Sequence, residues 1–201
     1  GARVALVERY LMGGDCLNVG CVPSKGVISA ARAWDPRHRS QFGAPGPADD
    51  GDFGLMMERM RRLRAEISHI DGAQRFTDAG VDVFLGDGRF KENGAIEVGG
   101  DELRYRRAVI ATGARAAAPP IPGLDEVAYR TNETIFSLTE RPARLAIIGA
   151  GPIGCEMAQS FARFGTEVTL LDMADHVLSR EDAEAAAMVE ESMTRDGVCL
   201  E

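Results

Sequence analysis

The stretch Leu145-Ala146-Ile147-Ile148-Gly149-Ala150-Gly151-Pro152-Ile153-Gly154 constrains this chain more than any other. A Gly-x-Gly-x-x-Gly pattern alone says little. Here it leaves an apolar run, opens a helical segment reaching about Phe164, and precedes a second strand-like run, Glu167-Val168-Thr169-Leu170-Leu171-Asp172. The acidic residue stands eighteen positions beyond Gly154. That is the β–α–β setting in which such a turn holds a dinucleotide pyrophosphate. Gly149 makes the tight turn, Gly151 lets backbone approach the phosphates, and Gly154 lets helix pack on strand. The helix N-terminus offers its partial positive charge to the phosphates. Asp172 is placed to accept from a ribose 2′-hydroxyl, which favours NAD over NADP because a 2′-phosphate would be repelled.

The opening run Val4-Ala5-Leu6-Val7-Glu8 parallels Val168-Thr169-Leu170-Leu171-Asp172, an apolar strand closed by a carboxylate. If Glu8 plays the part of Asp172, its own glycine turn belongs upstream of residue 1. The expectation is a chain that starts inside a first Rossmann unit and stops inside a second. Residue 1 is Gly rather than Met, so a targeting signal is not legible.

Between these units lies Gly13-Gly14-Asp15-Cys16-Leu17-Asn18-Val19-Gly20-Cys21-Val22-Pro23-Ser24-Lys25. On an ideal helix, residues five apart rise by about 7.5 Å and sit roughly 8–9 Å apart at Cα. A disulfide needs about 7 Å or less. Either Cys16 and Cys21 never bond, or they lie on a distorted helix start. Gly20 and Pro23 are the residues that loosen such a turn, one by backbone freedom and one by lacking an N–H. A reducible pair with a cation nearby is a redox device rather than a staple.

The remaining pattern is that of an α/β protein. A helix is expected from Pro23 to about Trp34, a proline-rich loop over 35–54, and an amphipathic helix from Leu55 to Ile70 with Met56, Met60, Leu63, Ile67 and Ile70 on one face. Arg59, Arg61, Arg62 and Arg64 on that helix read as a solvated side in preference to an anionic-partner face. Strands are expected over 81–85, 95–98 and 103–111, the last running into Ala111-Thr112-Gly113. Ala116 to Gly123 reads as a stiff proline-rich connector, a helix as spanning Glu181–Arg195, and Val198-Cys199-Leu200 as a closing strand. A net charge of −8 leaves no basic excess for nucleic acid. No apolar run reaches the roughly 20 residues of a membrane span. Four cysteines in 201 residues suit a cytosolic enzyme rather than a secreted disulfide scaffold.

The run from Gly13 to Lys25 resembles the redox motif of the class I pyridine nucleotide–disulfide oxidoreductases, which include dihydrolipoamide dehydrogenase, glutathione reductase and mercuric reductase. Ala111-Thr112-Gly113 and Gly149–Gly154 fall in the family's order, and essentially the whole chain aligns with its FAD domain and the first half of its NAD domain. Thr131-Asn132-Glu133-Thr134 and Gly154-Cys155-Glu156 look most like mercuric-reductase-like members.

The resemblance implies two partial Rossmann-like FAD/NAD(P)-binding domains, three-layered with a small β-meander. Residues 1–118 would be the FAD part, 119–140 a connector and 141–201 the NAD(P) part. It implies hydride transfer from NAD(P)H to FAD, then electrons to a Cys16–Cys21 disulfide and on to a small-molecule or metal-ion substrate. Cys21 would be the thiol beside the flavin and Cys16 the one that meets substrate. Lys25, at i+4 from Cys21, lies on the same helix face and would pair with Glu156. Glu8 would hold the adenosine ribose of FAD, Gly14 its pyrophosphate and Gly88 its adenine. Ala111, Thr112 and Gly113 would close that site. Asp15 stands where most members carry Thr, and capping of the following helix is its alternative use. A cytoplasmic homodimer is implied for the parent, and an isolated piece of this extent is expected to be inactive.

The same resemblance favours Hg(II) reduction as the activity, with lipoamide or another disulfide as the alternative substrate. Two other classes compete. A zinc site would need two more soft ligands near the cysteine pair, and Cys155, Cys199, His38, His69 and His176 show no such spacing. A redox-inactive nucleotide-binding fragment leaves Gly20, Pro23 and Lys25 unexplained. Cys155 and Cys199 are expected in the core.

Overall fold

The computed structural model describes residues 2–35, 51–92 and 94–201. The loop expected over 35–54 falls mostly outside them, as does His38. The described chain forms β1 (Val4–Glu8), α1 (Gly14–Asn18), α2 (Cys21–Trp34), α3 (Phe53–Ser68), α4 (Ala73–Asp78) and β2 (Val81–Leu85). It continues through β3 (Arg89–Phe90), β4 (Ala95–Val98), β5 (Asp101–Arg104), a 3₁₀ turn (Leu124–Glu126) and α5 (Asn132–Ile135). The last elements are β6 (Arg144–Ile148), α6 (Pro152–Arg163), β7 (Glu167–Leu171), α7 (Ala183–Arg195) and β8 (Val198–Leu200). The architecture is mixed α/β, in two compact units made of interleaved segments.

The first unit comprises residues 1–22 and 62–134. Strands β1 and β2 run parallel, from Val4 opposite Val81 to Glu8 opposite Leu85. Strands β3, β4 and β5 form the expected antiparallel meander, in which Ala95 and Val98 are buried. The strand expected over 103–111 ends at Arg104, and residues 105–121 lie outside any element. The segment is apolar and β-branched, but a strand needs a neighbour to satisfy its backbone, and no described strand flanks it. Val109 and Ile110 are exposed accordingly.

The second unit comprises residues 23–61 and 135–201. Its parallel sheet has the order β6-β7-β8, with the central β7 burying Val168 and Leu170. Helix α6 buries Cys155, Met157, Ala158, Ser160 and Phe161 along one face. The main core cluster lies wholly in this unit. Phe164 anchors it, meeting Trp34 edge-on at 5.2 Å between ring centroids and Phe53 at 5.7 Å. Helices α2 and α3 approach closely at Gly26, where an added Cβ would lie 3.0 Å from Met60 Cγ. Arg163 at the end of α6 reaches the nearly buried Asp196 carboxylate at 2.8 Å and Asp35 at 3.9 Å, and Gln159 also donates to Asp196 at 2.8 Å.

Helix boundaries shift by about two residues from expectation, as helix ends do. Helix α7 begins behind Asp182, which accepts from the N–H groups of Glu184 and Ala185. On α3 the stripe splits, Met56 and Met60 being buried and Ile67 and Ile70 exposed. Two of its arginines serve backbone carbonyls: Arg61 donates to Leu138 at 3.3 Å and Arg64 to Asn18 at 3.1 Å. Cys155 is buried as expected, but Cys199 is exposed, because the pleat of β8 turns it away from Val198. No helix among the described residues is long and apolar enough to cross a membrane.

Candidate active site

Cys16 and Cys21 do not share one distorted helix. The chain breaks at Val19–Gly20, leaving Cys16 in the middle of α1 and Cys21 at the first position of α2. A side chain at 20 would press on Asp15, since a Cβ there would lie 2.8 Å from its carbonyl oxygen. Glycine is therefore the residue that lets the chain fold back. The carbonyls stranded at the break are satisfied from the side, Asn18 O by Arg64 and Val19 O by the Asn132 amide at 3.3 Å. Asn18 Nδ2 closes the turn before α1 through Met12 O at 3.0 Å and Gly14 O at 2.9 Å.

Both cysteines are exposed and are present as thiols. The Cys16 thiol is pushed above the ordinary range, first by its hydrogen bond with the Cys21 side chain, then by desolvation and charge repulsion from Cys21. The Cys21 backbone acts in the opposite sense, favouring the thiolate. A pair that shares a proton in this way can give up two electrons and two protons as one unit.

In the second unit the turn after β6 matches its sequence signature. Gly149 adopts φ +104°, in the left-handed region, and its N–H donates to Leu171 O at 2.8 Å. Nothing lies within 4 Å of a Cβ placed on Gly151, so the turn is open there. A Cβ on Gly154 would run into the Gly149 carbonyl oxygen, which fixes that position as glycine for packing. Asp172 accepts from Ala150 N–H at 2.6 Å through Oδ2 and from Ala174 N–H at 2.9 Å through Oδ1. These donors, Ala150 first, hold its carboxyl below the usual range. Lys25 Nζ donates to Glu156 Oε1 at 2.5 Å, with both side chains still partly exposed.

The remaining expected residues lie in the first unit. Glu8 ends β1 and takes the Tyr10 N–H on Oε1 at 2.8 Å. Gly14 opens α1 with φ +59° and empty space around it. Gly88 packs against Val7, a Cβ there lying 3.0 Å from Cγ1. Asp15 does not cap a helix: Gly13 is the N-cap of α1, with no side-chain cap bond. Its carboxylate instead sits over Gly113, Oδ2 lying 3.1 Å from where a Cβ would stand. Ala111, Thr112 and Gly113 are exposed on an irregular segment rather than at a strand end.

Three participants escaped the sequence reading. Ala150, an ordinary residue between two glycines, is held through both its N–H and its carbonyl. Its carbonyl accepts from Leu178 N–H at 2.8 Å and from Cys155 Sγ at 3.3 Å. Leu178 adopts φ +51°, the one positive value outside glycine among the described residues. No sequence signal marks a leucine for that conformation. Cys155 directly follows Gly154, and this adjacency is the signal that placed it under the turn.

The whole chain, residues 1–201, matches the family described as Pyridine nucleotide-disulphide oxidoreductase. It is 35% identical over 200 residues to a mercuric reductase of Bacillus cereus, covering 99% of this chain and 32% of that protein. It is 32% identical to a dihydrolipoyl dehydrogenase of Acholeplasma laidlawii, covering 98% of this chain and 60% of that protein. The structure superposes on the HOCl-induced flavoprotein disulfide reductase RclA of Escherichia coli with a TM-score of 0.84 at 30% identity, covering 100% of this chain and 43% of that one. The chain thus spans about a third of the first curated relative and under half of the solved one. This chain belongs to the pyridine nucleotide–disulphide oxidoreductase family.

Proposed function

We propose that the protein carrying this chain is a flavin-dependent NAD(P)H disulfide oxidoreductase that delivers an electron pair to Cys16–Cys21 and on to substrate, with Hg(II) as the favoured acceptor. The observation that carries the reading is the pair of exposed thiols, hydrogen-bonded across the break between α1 and α2. The residues fit the two cofactors. The open Gly149–Gly151 turn at the start of α6 suits a pyrophosphate, and Asp172 retains acceptor capacity for ribose hydroxyls after its two backbone bonds. In the first unit Glu8 has its second oxygen for a ribose, and Gly13 and Gly14 both hold positive φ with space around Gly14.

Bound FAD supplies two-electron transfer from nicotinamide to the disulfide. The chain's own residues do the rest. Lys25, held by Glu156, presents a fixed cation. Cys21 and Cys16 take up two electrons and two protons as their sulfur–sulfur bond opens, and Cys16 then meets the acceptor. Asp172 favours NADH, since a 2′-phosphate beside it meets like charge. A homodimer in the cytoplasm is part of this proposal, as is the assignment of 1–118, 119–140 and 141–201 to FAD part, connector and NAD(P) part.

A dithiol–disulfide substrate such as lipoamide is the second reading, favoured by the similarity to the Acholeplasma laidlawii enzyme. The test is anaerobic NADH and NADPH oxidation by the purified protein with Hg(II) or lipoamide, beside its visible spectrum. A bound flavin, turnover with Hg(II), and loss of that turnover in Cys16→Ser are expected. Absence of flavin, or turnover indifferent to Cys16→Ser, would refute the reading.

A further inference from the structure

The Asp172 carboxylate faces two ways. Toward a ligand it has acceptor sites to spare, and toward the protein it clasps the N–H of Ala150 at 2.6 Å, inside the glycine turn itself. Ala150 is 4% exposed, and its carbonyl is tied by Leu178 N–H and the Cys155 thiol. Ala150 is therefore held through both its N–H and its carbonyl. Of the three groups that fix it, two are buried or belong to backbone. Asp172 alone is a side chain that also borders the place where a nucleotide would lie. Backbone bonds hold the turn at its two glycines, Gly149 N–H to Leu171 O at 2.8 Å and Cys155 N–H to Gly151 O at 3.0 Å, while glycine loses the most conformational freedom on ordering and Asp172 is the side chain that fixes the N–H between them.

We propose that Asp172 is a positioning residue for the pyrophosphate turn, so that its removal weakens binding of nucleotides that have no ribose hydroxyl to offer. The inference rests on the reading of the 149–154 turn as a dinucleotide site. It parts from the usual expectation that an acidic residue here acts only on the ribose. A consequence is that exchanging Asp172 to admit NADPH would also loosen the grip on the phosphates.

The experiment compares ADP with 2′,3′-dideoxy-ADP by calorimetry on wild type, Asp172→Ala and Asp172→Asn. For wild type, binding of both ligands is expected. For Asp172→Ala, affinity for dideoxy-ADP is expected to fall about tenfold, the scale of one charge-assisted hydrogen bond. Asp172→Asn keeps an acceptor for Ala150 N–H and should recover most of that loss. If Asp172→Ala loses affinity for ADP alone, the residue serves the ribose only and the proposal fails while the dinucleotide reading stands. If wild type binds neither ligand, the dinucleotide reading itself fails. Amide exchange on ligand-free wild type gives an answer that does not depend on a variant folding. The Ala150 N–H should be protected although it lies outside helix and strand, and exchange at the rate of an open loop would overturn the clasp.

Discussion

Single atoms decide several of the positions in this chain. Gly151 and Gly154 look equivalent in the pattern and are not. At Gly151 the backbone is extended at φ −74° and a Cβ meets nothing. Gly151→Ala should leave stability within about 0.5 kcal/mol while lowering nucleotide affinity, as urea denaturation and ligand titration would read. At Gly154 a Cβ collides with a carbonyl that cannot move without breaking the turn. Gly154→Ala should cost about 3 kcal/mol, the upper range for overpacking, visible in the same denaturation curves. Burial pushes the Cys155 thiol up to about 11, with the Asp172 charge adding to it. Alkylation at pH 8 should therefore spare Cys155 until the protein unfolds, while the exposed Cys199 is open to reagent. The glycines and Asp172 were legible because each answers to a steric or electrostatic rule that acts locally. Leu178 and its bond to the Ala150 carbonyl were not, since that bond forms between segments that only the folded chain brings together.

Among the elements, the break between α1 and α2 shows where local rules stop. Gly20 announced a disturbance, but its resolution depends on Arg64 and Asn132, which arrive from 46 and 113 residues away. Asn132→Ala should leave the Val19 carbonyl without its side-chain donor, at a cost of about 1 kcal/mol. Faster amide exchange across residues 19–21 would report it. The helices of the second unit are bound by charge as well as packing. Arg163, with its side chain 18% exposed, faces an Asp196 side chain that is 2% exposed. Arg163→Ala should destabilise the fold by about 3 kcal/mol, because a buried carboxylate would lose its counter-charge. The exposed Lys25–Glu156 pair should contribute no more than about 1 kcal/mol to stability, so any larger effect of its loss belongs to function. The strand expected over 103–111 stops at Arg104 for a related reason: propensity describes what a segment could do, and pairing decides what it does.

Across the molecule, burial is uneven. Among the described residues the first unit buries the apolar side chains of Leu17, Ala95 and Val98 alone, while the main cluster lies in the second. Amide exchange should therefore run faster in β1 and β2 than in β6 and β7, following the difference in buried contact, and equal protection would contradict this ledger of cores. The alternation of strand, turn and helix made the α/β class readable from sequence, because periodicity reports on each element separately. The amount of core in each unit was not readable, since it depends on which faces meet. The shared proton of Cys16 and Cys21 carries one more consequence, in electrical terms. A Cys16 thiol held above the ordinary range keeps its proton through neutral pH. Opening the sulfur–sulfur bond then draws at least one proton from water with each electron pair. The midpoint potential of the couple should fall by at least about 30 mV for every unit rise in pH, so alkaline conditions make this pair a stronger reductant.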